Sequence, residues 1–229
     1  MIEKLKRVLS DEFKLLTFRQ IKLDTSIVNS YLVFGFAFTL LSGIGRYWDN
    51  PRAELWQHLG LGSVAYVFVL AFVLWVVIYP LKPKNWGYKN VLLFVTLTSP
   101  PAVLYAIPVE RFMSFEAAQQ VNVWFLAVVA IWRVALLAVF LMRVARLSRF
   151  AVLVATLLPL TLIVATLTAL NLEHVVFKIM AGLEDHEKSV NDGAYIVLLI
   201  ITYFSVMAFP VLLVLYGWLI YRVRNAIGT

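Results

Sequence analysis

A single charged side chain, Arg133, falls inside the long apolar stretches that make up most of this 229-residue chain. An arginine at mid-bilayer costs at least about 2.5–3.5 kcal/mol, so it persists where carbonyls, an anion or water satisfy it. None of the apolar stretches carries an acid to pair with it. In a neighbouring stretch, Pro100 and Pro101 lack amide hydrogens, so the carbonyls of Thr96 and Leu97 lose their helical donors. Those oxygens fall at a similar depth, which makes Arg133 a replacement donor, with Thr98 or Ser99 helping. Two alternatives stand beside this polar clamp. The guanidinium snorkels toward the inner headgroups near Arg143, or it holds an anion or lipid phosphate in a cavity. Arg133, Thr96, Thr98 and Ser99 are therefore the candidate intramembrane polar site.

Other chemistry is sparse. The three histidines, His58, His174 and His186, all lie outside the apolar stretches, which excludes a bis-histidine haem within a bilayer. Glu173-His174, Glu184-Asp185-His186-Glu187 and Asp192 carry metal-capable groups without the spacing of a metal site, and read as a solvated acidic loop. HExxH, GxSxG and phosphate-gripping glycine motifs are absent. His186 and Asp192 stand one residue too far apart for an HxxxxD acyltransferase box. With no cysteine, disulfides, thiolate nucleophiles and iron–sulfur clusters are excluded. No catalytic residue, metal ligand or cofactor is assigned.

The elements that position Arg133 follow from composition. Hydrophobic residues make up 62% of the chain and charged ones 14%, with a mean hydropathy of +0.86. A soluble domain carries about 25% charged residues. The expected fold is all-α, a polytopic transmembrane helix bundle. Spans are expected at 27–45, 61–81, 91–108, 121–142, 150–172 and 194–221, six in all. The third is short and carries Pro100-Pro101 at its middle, so a broken or re-entrant helix is the alternative there. The sixth is long and holds Pro210, so it should tilt or kink.

Charge sets the orientation. Fourteen Lys and Arg precede span one or follow spans two, four and six, against five on the opposite loops, which predicts both termini in the cytoplasm. The net charge of +7 therefore points to anionic lipid at the cytoplasmic face rather than to nucleic acid. Trp48, Trp56 and Trp124 are expected in an outer aromatic belt and Trp86 and Trp218 in an inner one, with Trp75 and Trp132 packed more deeply.

Three domains are read from this pattern: an amphipathic cytoplasmic segment at 1–25, one transmembrane domain at 26–221, and a basic tail at 222–229. The segment 1–25 is too mixed for a cleavable signal, and Ile2, Leu5, Leu9, Phe13 and Leu16 recur in it at helical spacing. In the first outer loop Asn50 suits an N-cap and Pro51 the first helical position, predicting a short interfacial helix from residue 51 to about 59. The run Asn50-Pro51-Arg52-Ala53-Glu54-Leu55-Trp56-Gln57-His58-Leu59, followed by a long apolar helix, resembles the Pro-Arg amphipathic lead-in of bacterial Yip1-domain membrane proteins. That family typically has five spans with its lead-in before the first, whereas here it follows span one. No functional residue is carried over.

Small residues mark helix contacts in lipid. Ala151, Ala155, Ala165 and Ala169 share one face of span five, which predicts a packed helix or a contact between protomers. The chemistry and topology together predict a protein of a bacterial cytoplasmic (inner) membrane, transporter- or channel-like, alone or as a homo-oligomer. A scaffold or accessory subunit of a larger membrane complex is the alternative, and a lipid-handling enzyme the second.

Overall fold

Apolar runs bounded by prolines, glycines and basic clusters fold here as helices, in which the backbone satisfies its own polar groups without water. The computed structural model describes residues 2–21, 24–45, 54–169 and 192–226. Among them every regular element is helical: α1 Ile2–Leu16, α2 Val28–Gly45, α3 Leu55–His58, α4 Leu61–Ile78, α5 Tyr88–Leu97, α6 Phe115–Arg143, α7 Arg149–Ala169 and α8 Asp192–Asn225.

Four helical stretches are long and apolar enough to cross a membrane: Leu61–Leu81, Phe115–Arg143, Arg149–Thr166 and Ile200–Asn225. A fifth arises if α5 and the 3-10 turns that follow it count as one span, bent by 43°. The apolar part of α2, Val28–Ile44, is shorter. An α-helical membrane protein is thus in place, with four or five helices meeting the length requirement among the described residues.

Boundaries shift for local reasons. α6 starts at Phe115, ahead of the expected 121, because the Ser114 hydroxyl caps it by accepting from the Ala117 amide and Glu116 sits in its first turn. The outer interfacial helix is only Leu55–His58. The cap expected at Asn50 and Pro51, the end of span five at 170–172 and the acidic loop at 173–187 lie outside the described residues.

Packing explains which faces are buried. On α4, Val67, Ala71, Leu74 and Ile78 form one stripe at helical spacing. Phe94 of α5 stacks on Phe140 of α6, centroids 4.2 Å apart. Of the long helices α7 is the most buried, and it lies against α8, the least buried. Ala151 and Ala155 are buried and Ala165 half-buried.

Trp86 departs from its expected place in the inner belt. It is buried, its indole N–H donating to the Trp75 carbonyl at 3.1 Å, because the chain after Pro83 folds back under α4. On α1 the expected apolar face, Ile2, Leu5, Leu9 and Phe13, is exposed, while Val8, Asp11, Glu12 and Leu15 face the bundle. The helix therefore turns two acids inward.

Candidate functional site

The site begins with a stripe on α2. Tyr31, Gly35, Thr39, Ser42 and Gly43 recur every three to four residues and are all buried, so this face is built of small or polar groups. Gly35 admits the backbone of α5: a Cβ there would lie 2.7 Å from the Thr96 carbonyl carbon and oxygen. One turn further, the Thr39 hydroxyl donates to the Gly35 carbonyl at 2.9 Å, and its oxygen accepts from the Ser99 hydroxyl at 2.8 Å. A buried hydroxyl pair thus joins α2 to the break that follows α5.

At the break, hydroxyls take up much of what the prolines remove. Thr96 donates to the Leu93 carbonyl at 2.9 Å and Thr98 to the Val95 carbonyl at 2.8 Å. The Ser99 amide closes onto the Thr96 carbonyl at 3.1 Å, and the chain continues as a 3-10 helix, Pro100–Ala106. The Thr96 carbonyl is therefore already served. Arg133 takes a different partner from the expected carbonyls. Its Nε donates to the Thr98 hydroxyl oxygen at 3.4 Å, long for a hydrogen bond. Thr96, Thr98 and Ser99 are buried and Arg133 half-buried, so the structure brings all four together. Gly35 and Thr39 complete the cluster and were not singled out from the sequence. The signal was present: Gly35, Thr39 and Gly43 are spaced four apart in the first apolar run, the small-residue pattern of close helix contacts.

A second polar region ties α1 to the bundle. α1 ends in a Schellman turn, with Phe18 N–H on the Leu15 carbonyl at 2.9 Å and Arg19 N–H on the Lys14 carbonyl at 2.8 Å. Phe18 takes the left-handed conformation at φ 59°, where glycine is usual. Two carbonyls at this end find donors on α6. The Trp132 indole N–H donates to Leu16 at 3.0 Å, and Arg143 donates to Phe18. On the inward face, the Asp11 carboxylate accepts from the Tyr31 hydroxyl at 2.6 Å and from Lys14 at 3.3 Å. Glu12 beside it is 5% exposed, and neither of its carboxyl oxygens has a partner among the described residues. Burial pushes its pKa up to about 8. Asp24, which precedes α2, accepts from the Ser26 amide at 2.9 Å and pairs with Arg7 at 2.8 Å. The Ser26 hydrogen bonds, with a smaller contribution from Arg7, hold its carboxyl below the ordinary range.

The same side of the molecule holds a cavity of about 620 Å³ lined by Tyr79, Pro80, Lys82, Pro83, Trp86 and Arg224. Among the described residues no group of three or more His, Asp or Glu is placed to hold a metal. No protein-family model, curated protein or solved structure matches the chain. Its chemistry has to be read from its own residues.

Proposed function

We propose that the chain is a transporter- or channel-like protein of a bacterial inner membrane, alone or as a homo-oligomer, and that it handles an anion at the break after α5. The observation that carries this reading is Arg133. Its Nε is committed to Thr98, while its terminal N–H groups make no hydrogen bond among the described residues. A guanidinium fork left open beside buried hydroxyls suits a planar or tetrahedral oxyanion. Broken helices near the midplane are where transporters place such sites. The resemblance of residues 50–59 to bacterial Yip1-domain proteins agrees with the proposed membrane.

The test is flux. With the protein in vesicles and chloride and inorganic phosphate as probes, Arg133→Gln should cut anion movement on the order of tenfold or more, the scale of one lost charged hydrogen bond. Its melting temperature should stay at the wild-type value. Wild-type vesicles that pass neither probe would overturn the reading, as would a variant with unchanged flux. A variant that instead fails to fold would make Arg133 a structural clamp.

Six spans with both termini inside complete the proposal, on the fourteen-to-five split of basic residues. Cysteine labelling at positions 84 and 146 should report the cytoplasm, and at 52 and 185 the outside. Labels at 52 and 146 on the same face would require a different span count.

A second reading, a subunit of a larger complex, draws on α8. Tyr203, Phe204, Met207 and Val214 on this helix are each at least 70% exposed. Crosslinking from Phe204 to another protein chain in native membranes would favour it, and crosslinks to lipid alone would count against it.

A further inference from the structure

We infer that the cleft between the end of α1 and the inner end of α6 binds the phosphate of an anionic glycerophospholipid. Arg19 from the turn after α1 and Arg143 and Arg146 from the end of α6 line one cavity of about 270 Å³. No Asp or Glu lines it, and none of the three arginines forms an ion pair among the described residues. The three side chains are exposed, so the mouth of the cleft is open to solvent and cationic, with no lining acid to offset its attraction for an anion.

The wall behind these charges is apolar. Phe140 and Leu136 lie on α6 about one and two turns from Arg143 toward the membrane interior, and Leu15 closes the side from α1. A cleft that is cationic at its mouth and apolar at depth matches a headgroup phosphate with acyl chains below it, rather than a free hydrated anion. Basic pockets of this kind at the cytoplasmic side bind phospholipid headgroups.

The frame is set before any ligand arrives. Arg146 is held at φ 55°, in the left-handed region, by the Lys84 amide on the Ala145 carbonyl at 2.9 Å and the Leu147 amide on the Leu141 carbonyl at 3.1 Å. On the other wall, Arg143 donates to Phe18 and so fixes the turn that carries Arg19. The inference rests on the membrane-spanning reading of α6 and is independent of anion transport.

The experiment uses the full chain in nanodiscs of phosphatidylcholine with phosphatidylglycerol as a minor component, followed by native mass spectrometry of the lipid retained. The test variant is Arg19→Gln with Arg146→Asn, because asparagine tolerates the left-handed region and Arg143 is left to hold the turn. Wild type should retain phosphatidylglycerol over phosphatidylcholine by roughly tenfold, as expected of two or more basic residues at a lipid surface. The double variant should lose that preference and keep its melting temperature in phosphatidylcholine alone. Glycerol 3-phosphate in solution should not displace the lipid. Equal retention of the two lipids by wild type would overturn the inference, as would a preference that survives in the variant. Displacement by glycerol 3-phosphate would overturn the lipid as source in favour of a free phosphate. Release of the chain from native membranes by alkaline carbonate would instead strike the spanning reading, whereas a chain that stays embedded yet shows no preference strikes this inference alone.

Discussion

Gly35→Ala should lower the melting temperature of the solubilised protein sharply, while Gly217→Ala should leave it unchanged or raise it. The two substitutions add the same methyl group to helices read as spans. At Gly35 that carbon would sit 2.7 Å from three atoms of Thr96, two of them in the backbone, closer than real Cβ atoms come. A backbone cannot rotate aside, so α2 and α5 must separate. The Thr39–Ser99 hydroxyl contact at 2.8 Å lies one turn away and would be stretched with them. Overpacking of this kind costs about 1–3 kcal/mol, and a buried hydroxyl left without its partner adds roughly 1–3 kcal/mol. At Gly217 no other element among the described residues comes within 4 Å of the added carbon. There the helix gains up to about 1 kcal/mol from the lost flexibility of glycine. Gly43→Ala should resemble Gly35→Ala, since its Cβ would meet the Gly60 Cα at 2.4 Å. Thermal melts followed by circular dichroism decide the matter. A Gly35→Ala protein as stable as Gly217→Ala would mean that α2 and α5 do not approach in this way.

The helices themselves were legible because apolar length, proline and capping residues act locally. Pro100-Pro101 announced the break after α5, since a missing amide is visible in one residue. The partner of Arg133 was not legible. Choosing between the Thr98 hydroxyl and the Thr96 carbonyl depends on whether the Ser99 amide has already turned onto that carbonyl, which is a matter of 3-10 geometry. The Ala151–Ala155 pattern is legible in the sequence and the Gly35–Thr39–Gly43 pattern is less so, although Gly35 and Gly43 each bring α2 against another backbone, at Thr96 and Gly60. Composition explains the difference: alanine pairs read as a repeated motif, whereas a threonine between two glycines hides the period. The apolar face of α1, Ile2, Leu5, Leu9 and Phe13, is exposed, and what ties the helix to the bundle is polar: the Tyr31 hydroxyl on Asp11 and the Trp132 indole on the Leu16 carbonyl. Such long-range polar partners have no sequence signature.

Alkaline pH should loosen α1, and Glu12→Gln should abolish that sensitivity. Glu12 is buried against the bundle with both carboxyl oxygens unpartnered among the described residues. The neighbouring carboxylate, Asp11, accepts from Lys14 and from the Tyr31 hydroxyl of α2, whereas no such bond reaches Glu12 among the described residues. Among the described residues no ion pair involves Glu12, and burial raises its pKa from the usual 4.5 to about 8. The folded state then holds a proton that the unfolded state has released throughout this interval. Stability is therefore full below about pH 4.5, falls as pH rises toward 8, and levels off above it. At roughly 1.4 kcal/mol per unit of pKa shift, the loss is on the order of a few kcal/mol. Asp24 has the opposite sign, since its lowered pKa removes stability only as pH falls below the ordinary carboxylate range. Its effect lies outside the interval in which Glu12 acts. The readout is the fluorescence of Trp132, whose indole is bonded to the carbonyl of Leu16, taken as the difference between wild type and Trp132→Phe. Between pH 6 and 9 this signal and the melting temperature should both decline in wild type and stay level in Glu12→Gln. At pH 9 the variant should be the more stable protein. A slope that persists in Glu12→Gln would assign the alkaline sensitivity to another group and leave Glu12 without this role.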